Sequence, residues 1–204
     1  VTDFATQSDL LARLGLDAWV GNEQARATTL LAQAQDLVRQ SAKQTITKVA
    51  NDTWVTRGVF GNRLLVPERP VIQVTQVQAQ FMNGTTYTVD PLTYFVDRDE
   101  LVRYDWPLSF TIGNGWLGPG WKLTITYDHG YDPAANPVPR QLALAKTIAL
   151  EAVARCWVNP EAATQEMIGG VQTMYPAVGM RLTAEEEEDL ADQFRTTAQS
   201  VRLR

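Results

Sequence analysis

The segment Arg140–Val158, "RQLALAKTIALEAVARCWV", constrains this chain more than any other. Leu142, Ala145, Ile148, Ala149, Ala152, Val153 and Cys156 recur at helical spacing, and Leu144, Leu150 and Trp157 widen the stripe. A helix apolar around so much of its girth is stable only where other elements cover it. Val138-Pro139 opens it, because proline suits a first helical turn, and Asn159-Pro160 ends it. The fold must therefore supply partners for a mostly buried helix.

The chain offers them at both ends. Ser8 is placed to cap "DLLARLG", with Leu10, Leu11 and Leu14 on one face and Gly15 as the stop. Asn22 is placed to cap "EQARATTLLAQAQDLVRQSA", about five turns long. Its apolar stripe runs Ala27, Leu30, Leu31, Ala34, Leu37, Val38, and its polar face carries Gln33, Gln35, Asp36, Arg39 and Gln40. Near the other end, Thr183 and Glu186 form a capping box before an acidic helix, "LTAEEEEDLADQF", whose first turns suit negative charge.

Between Thr45 and Asp132 the period changes from 3.6 to two. "TITKVAND" and "TWVTRGVFG" are rich in β-branched and aromatic residues, and "PVIQVTQVQAQ" leads to the turn signal Asn83-Gly84. "TYFVDRDELVRYD" reads as two short strands about a turn from Asp97 to Glu100. "WKLTITYDHGY" alternates Leu123, Ile125 and Tyr127 against Lys122, Thr124 and Thr126. This spacing predicts a small antiparallel sandwich or barrel. Pro133, Pro137 and Pro139 then break the ladder. The expected class is α+β: a helical bundle from both chain ends, carrying an inserted antiparallel β-module. The expected divisions are 1–44, 45–136 and 137–204.

Side chains suited to catalysis are sparse. The one histidine, His129, stands in "YDHGY" without a nucleophile motif, and a turn histidine bonded to backbone is its expected state. The one cysteine, Cys156, lies on the apolar helix face, where it behaves as a small buried hydrophobe. It leaves no internal disulfide framework and fits a reducing compartment. No Cys/His spacing points to a metal. "GNGWLG" at 113–118 matches GxGxxG, but Pro119, Gly120 and a strand follow where a dinucleotide site needs a helix. Consecutive acids in "EEEED", Glu185 to Asp189, point in several directions and do not converge on one ion. Trp54, Trp106, Trp116 and Trp121 could form a platform for sugar or single-stranded nucleic acid, or could anchor loops and core. Expected catalytic, metal and cofactor sites are thus none.

Charge narrows the partners. A formal charge of −5 and a pI of about 4.9 argue against gripping nucleic acid by counterion release. They suit an acidic wall that DNA slides past, or an ordinary acidic surface. No apolar run approaches the roughly 18 residues of a membrane span, and the first residues lack a secretory pattern. The remaining unusual stretch is "NPEAATQEMIGGVQTMY", Asn159 to Tyr175. It is richer in Met, Ile and Val than a linker needs. Gly169 and Gly170 can let the chain leave the helical body. Glu166, Met167, Ile168, Val171, Met174 and Tyr175 can then dock a partner by strand addition or apolar insertion, or cover the chain's own core.

The order of these features resembles the head-to-tail adaptor (connector) proteins of long-tailed double-stranded DNA bacteriophages. The resemblance runs through "RPVIQVTQV", "TITYDHGY" at Thr124 to Tyr131, Val138-Pro139, Asn159-Pro160, "QEMIGG" at Gln165 to Gly170, and Leu182-Thr183-Ala184-Glu185. It covers most of the chain, most clearly residues 69 to 195. "VFGNRLLVPE", Val59 to Glu68, departs from the pattern. The resemblance implies a non-enzymatic virion protein at the head-tail neck, assembled in the host bacterial cytoplasm. It implies a ring, usually twelvefold, under the portal, which extends the DNA channel and meets a downstream stopper or tail protein. The implied partners are the portal protein, neighbouring copies, and double-stranded DNA that passes without specific binding. A stopper or tail-completion protein is the nearest alternative, and a carbohydrate-binding module a more distant one.

Overall fold

A computed structural model describes residues 3–57, 62–97, 99–103, 121–158, 165–168, 171–174 and 180–194. In chain order the elements are α1 (Gln7–Leu14), α2 (Glu23–Ala42), β1 (Val49–Arg57), β2 (Arg63–Leu65), β3 (Val71–Phe81), β4 (Thr86–Thr88), β5 (Tyr94–Asp97), β6 (Glu100–Arg103), β7 (Trp121–His129), α3 (Arg140–Val158), β8 (Gln165–Ile168), β9 (Val171–Met174) and α4 (Ala184–Phe194). The class is α+β, with antiparallel strand pairing in each sheet. The chain divides into two compact units, a β unit of Thr47–Tyr131 and a helical unit of Thr2–Ile46 with Asp132–Arg204.

In the helical unit, α2 and α3 have the bounds that their periodicity predicts. Leu142, Ala145, Ile148, Ala149, Ala152 and Val153 of α3 are buried with Ala27, Leu31, Ala34 and Val38 of α2. Alanines at these positions bring helix axes close while losing little side-chain entropy. Leu10 of α1 and Leu190, Ala191 and Phe194 of α4 complete the core. Ion pairs fix the rim: Lys146 with Asp9 at 2.7 Å, and Arg13 with Glu151.

Four expectations about this unit are corrected. Thr6, not Ser8, caps α1, in a box where Asp9 accepts from the Thr6 amide at 2.9 Å. Asn22 precedes α2 but its side chain makes no cap bond, and Glu23 Oε2 instead accepts from the Val20 amide at 2.9 Å. Gln35 is not on the polar face. It is 1% exposed, and its Oε1 accepts from the amides of Phe4 at 2.8 Å and Ala5 at 3.3 Å. Cys156 is only half-buried, because it sits near the end of α3 beyond the last fully buried turn. The Thr183–Glu186 capping box is present, and Arg155 adds a two-pronged contact to Glu186 at 2.8 and 2.9 Å.

The β unit is a sandwich. One sheet has the order β1-β7-β3-β4 and the other β2-β6-β5. Their inner faces share a core of Val77, Ala79, Leu123, Ile125 and Tyr127 from the first sheet with Leu64, Tyr94 and Leu101 from the second. The period-two pattern of β7 produces this, since Leu123, Ile125 and Tyr127 point inward between outward threonines. Strand β2 falls within the atypical stretch 59–68. The turn signal works as read: Gly84, at φ 87, closes the β3–β4 hairpin, where the Phe81 amide donates to Thr85 O at 2.9 Å. The expected strand from Thr45 begins only at Val49; Thr47 instead forms an isolated bridge with Tyr131.

Two bulges meet at one carboxylate. The β1–β7 register shifts between Val49 and Asp52, and the β3–β7 register between Val71 and Gln73. Asp128 Oδ1 accepts from the Asn51 amide at 2.8 Å, and its Oδ2 from Gln73 Nε2 at 2.7 Å. A bulge frees backbone groups from the ladder, and Asp128 satisfies one of them, the Asn51 amide, while holding the Gln73 side chain beside the second bulge.

Candidate assembly surfaces

The side chains suited to chemistry are structural in their surroundings. His129 is 1% exposed at the end of β7, with its ring 5.1 Å from that of Tyr127. Its Nε2 lies 3.0 Å from Asp52 Oδ2, so the expected backbone-bonded turn histidine is corrected to a side-chain pair. A bulged β1 swings Asp52 under the strand end, which local sequence does not reveal. Asp128, the residue before His129, is held below its ordinary carboxylate range, first by the Asn51 amide and then by Gln73, against the opposing effect of burial. Among the described residues no group of three or more His, Cys, Asp and Glu could hold a metal. None of the described helices is long and apolar enough to cross a membrane.

Of the four tryptophans proposed as a platform, Trp106 and Trp116 lie outside the described residues, as does "GNGWLG". Trp54 packs against the sandwich core. Trp121 packs on Phe81 at 4.8 Å and meets Tyr87 edge-on at 5.4 Å. These rings support the β3–β4 turn, where Met82 is 78% exposed.

The stretch between α3 and α4 contains a hairpin. Its register pairs Gln165 with Met174, Glu166 with Thr173, Met167 with Gln172 and Ile168 with Val171. That register leaves two positions, 169 and 170, for the connection, a length for which glycines are suited. Gly169, Gly170 and Tyr175 lie outside the described residues. Among the described residues the pair β8–β9 joins no third strand. A two-stranded hairpin is marginal by itself, and its outer edges carry unpaired backbone groups.

A second surface was not anticipated. Trp19, in the α1–α2 connection, lies 5.5 Å from Trp157 near the end of α3. The Arg26 guanidinium stacks 4.5 Å from the Trp157 ring, and its Nη2 donates to the carbonyls of Cys156 and Trp157, each at 3.3 Å. Arg26 thereby satisfies carbonyls that the helix end leaves open, and its charge suits that end of the dipole. Val20 and Val158, beside the two rings, remain 73% and 69% exposed. The available signal was a tryptophan in the polar connection "DAWVGNEQ", but its partner is 138 residues away in sequence, beyond any local pattern.

The acidic helix is a solvated surface. Glu185, Glu187, Glu188 and Asp189 are exposed, while Glu186 is held by Arg155. Burial pushes the Glu186 carboxyl up, but Arg155 and Thr183 outweigh it and hold it below the ordinary range.

No protein-family model matches the chain, and no curated protein is significantly similar in sequence. Solved structures do match in fold. A chain in the virion of a native gene transfer agent (GTA) particle aligns at 15% identity and a TM-score of 0.57, over 96% of this chain and 92% of that one. A chain in the neck of an empty GTA particle with C6 symmetry aligns at 16% identity and a TM-score of 0.54, over 84% of this chain and 87% of that one. At such identities the likeness is one of fold. It extends along nearly the whole chain rather than one unit.

Proposed function

We propose that this chain is a structural protein of a phage-like particle's neck, and specifically a head-to-tail adaptor. The observation that carries the reading is chain-long fold likeness to a chain in a symmetric particle neck. Copies form a ring under the portal, extend the DNA channel and pass the connection on to the next neck or tail protein. A net charge of −5 suits a conduit that must not hold the DNA it conducts. The ring's stoichiometry follows the adaptor resemblance, which points to twelve copies.

Within this reading, Glu166, Met167, Ile168, Gly169, Gly170, Val171, Met174 and Tyr175 form a partner-docking arm. A hairpin with no third strand among the described residues supports that role, because a partner can complete it by backbone pairing. Ile168→Asp and Met174→Asp test the arm. Lost assembly with an unchanged melting temperature is the expected result; a large fall in melting temperature makes these residues core instead.

The whole reading is tested by adding the purified chain to portal-bearing heads and imaging them by electron microscopy. A ring of density directly beneath the portal is expected. Heads that lack tails should retain the chain, whereas a stopper or tail-completion protein would sit further from the capsid and be absent. Heads that never acquire the chain would sink the proposal.

A further inference from the structure

We infer that copies of this chain join head to tail, with the β3–β4 turn of one copy seated on the Trp19–Trp157 shelf of the next. The inference rests on the ring reading and names the surfaces that make the ring. A cyclic ring is built from heterologous contacts, so each chain must carry two different, mutually complementary patches. Among the described residues, two of the exposed apolar projections are backed by aromatic rings. In the helical unit, Val20 and Val158 stand 73% and 69% exposed beside Trp19 and Trp157. In the β unit, Met82 stands 78% exposed at a turn braced by Phe81 and Trp121.

Their chemistry is matched. The shelf is rigid and aromatic, fixed by Arg26, and a flexible thioether packs well against such rings. Half-buried Trp19 and Trp157, with Arg26 against them and exposed Val20 and Val158 beside them, have the composition of an interface hot spot. The flanking charges have opposite signs. The cleft beside Met82 is lined by Arg57 and Lys122, with no acidic residue among its described lining. At the shelf the Glu23 carboxylate accepts from the Val20 amide at 2.9 Å and Asp17 is exposed in the same connection, while the Arg26 guanidinium is engaged by the carbonyls of Cys156 and Trp157. Like patches would repel one another at the rim, whereas unlike patches attract.

Cysteine cross-linking of the full chain tests this. In a Cys156→Ser background, Met82→Cys and Val158→Cys together, treated with a short bismaleimide alone and on portal-bearing heads, should give a ladder of covalent oligomers. Mixing the two single-cysteine proteins should stop at dimers. Met82→Asp or Val158→Lys should each weaken self-association by about tenfold or more, with no change in melting temperature because both side chains are exposed and a cation suits the end of α3. A ladder no stronger than that of a Leu92→Cys, Val158→Cys control overturns the inference. So does efficient dimerisation of Val158→Cys alone, which would mean like patches pair. If wild-type rings still appear under the portal in those cases, the ring reading stands with other surfaces; if they do not, both fall.

Discussion

Asp128 and Asn51 are tied by a 2.8 Å hydrogen bond across 77 residues of sequence. Asn51 has φ 53, a left-handed conformation that asparagine tolerates better than most residues. Its amide therefore leaves the ladder and turns to a side-chain carboxylate on the neighbouring strand. The other oxygen of that carboxylate holds Gln73, beside the second bulge. One acid thus stitches three adjacent strands where their registers change.

Asp128→Ala should cost about 1–3 kcal/mol, since it leaves the Asn51 amide without its acceptor. Urea unfolding at neutral pH measures it. The folded protein holds this carboxyl below its ordinary value of 3.8. Its contribution is therefore complete above that value and is lost as pH falls through the depressed one. Wild-type stability should decline below about pH 4 more steeply than that of Asp128→Ala.

Tyr127 gives the opposite prediction at the alkaline end. Burial pushes its phenol up to about 12 from an ordinary 10.0. The folded state keeps a proton that the unfolded state gives up, so stability is complete below pH 10 and is lost as pH rises towards 12. Tyr127→Phe should lose less stability over that interval, as followed by circular dichroism. Tyr94 and Tyr131 are shifted the same way by burial, so the slope should shrink rather than vanish.

Gly130→Ala should destabilise by more than about 2 kcal/mol. Gly130 has φ 89, and a Cβ there would stand 2.5 Å from the Thr47 carbonyl oxygen, a backbone atom with little room to retreat. Gly84→Ala, at φ 87 but with open space around it, should cost only its conformational strain of about 1 kcal/mol. Thermal unfolding of the pair separates strain from collision.

Gln35→Ala should cost about 1–3 kcal/mol and loosen the segment before α1. Two buried amides, those of Phe4 and Ala5, share its oxygen. Hydrogen exchange at those two amides should rise ahead of the rest of the helical unit. Equal protection in the variant would mean that the segment is held by Phe4 packing against Arg39 instead.

What the residues disclosed in advance was local. The bounds of α2 and α3, the Thr183–Glu186 box, the Asn83-Gly84 turn and the inward side of β7 all follow from spacing within one element. What stayed hidden depends on distant chain. Gln35 reads as polar, yet it lies four residues after Leu31 and three before Val38, on the stripe itself; only the returning N-terminal segment gives it a reason to be there. Asp52 meets His129 because β1 carries a bulge, and no pattern in "NDTW" marks that bulge. The shelf needs α3 to end beside the α1–α2 connection, a matter of helix packing rather than composition. Residues 165–168 and 171–174 were legible only as a choice between a docking segment and a local strand, because their pairing with each other depends on register rather than composition.

The β unit opens and closes at the same place. Thr47 bridges to Tyr131, and the Lys48 amide donates to the Tyr131 carbonyl at 2.9 Å. A segment whose entrance and exit touch adds little loop-closure cost to the host that carries it. To the helices on either side in sequence, an entire sandwich counts as one connection. A change of length inside such a segment leaves the span between its two ends, and so the closure its host must make, unaltered.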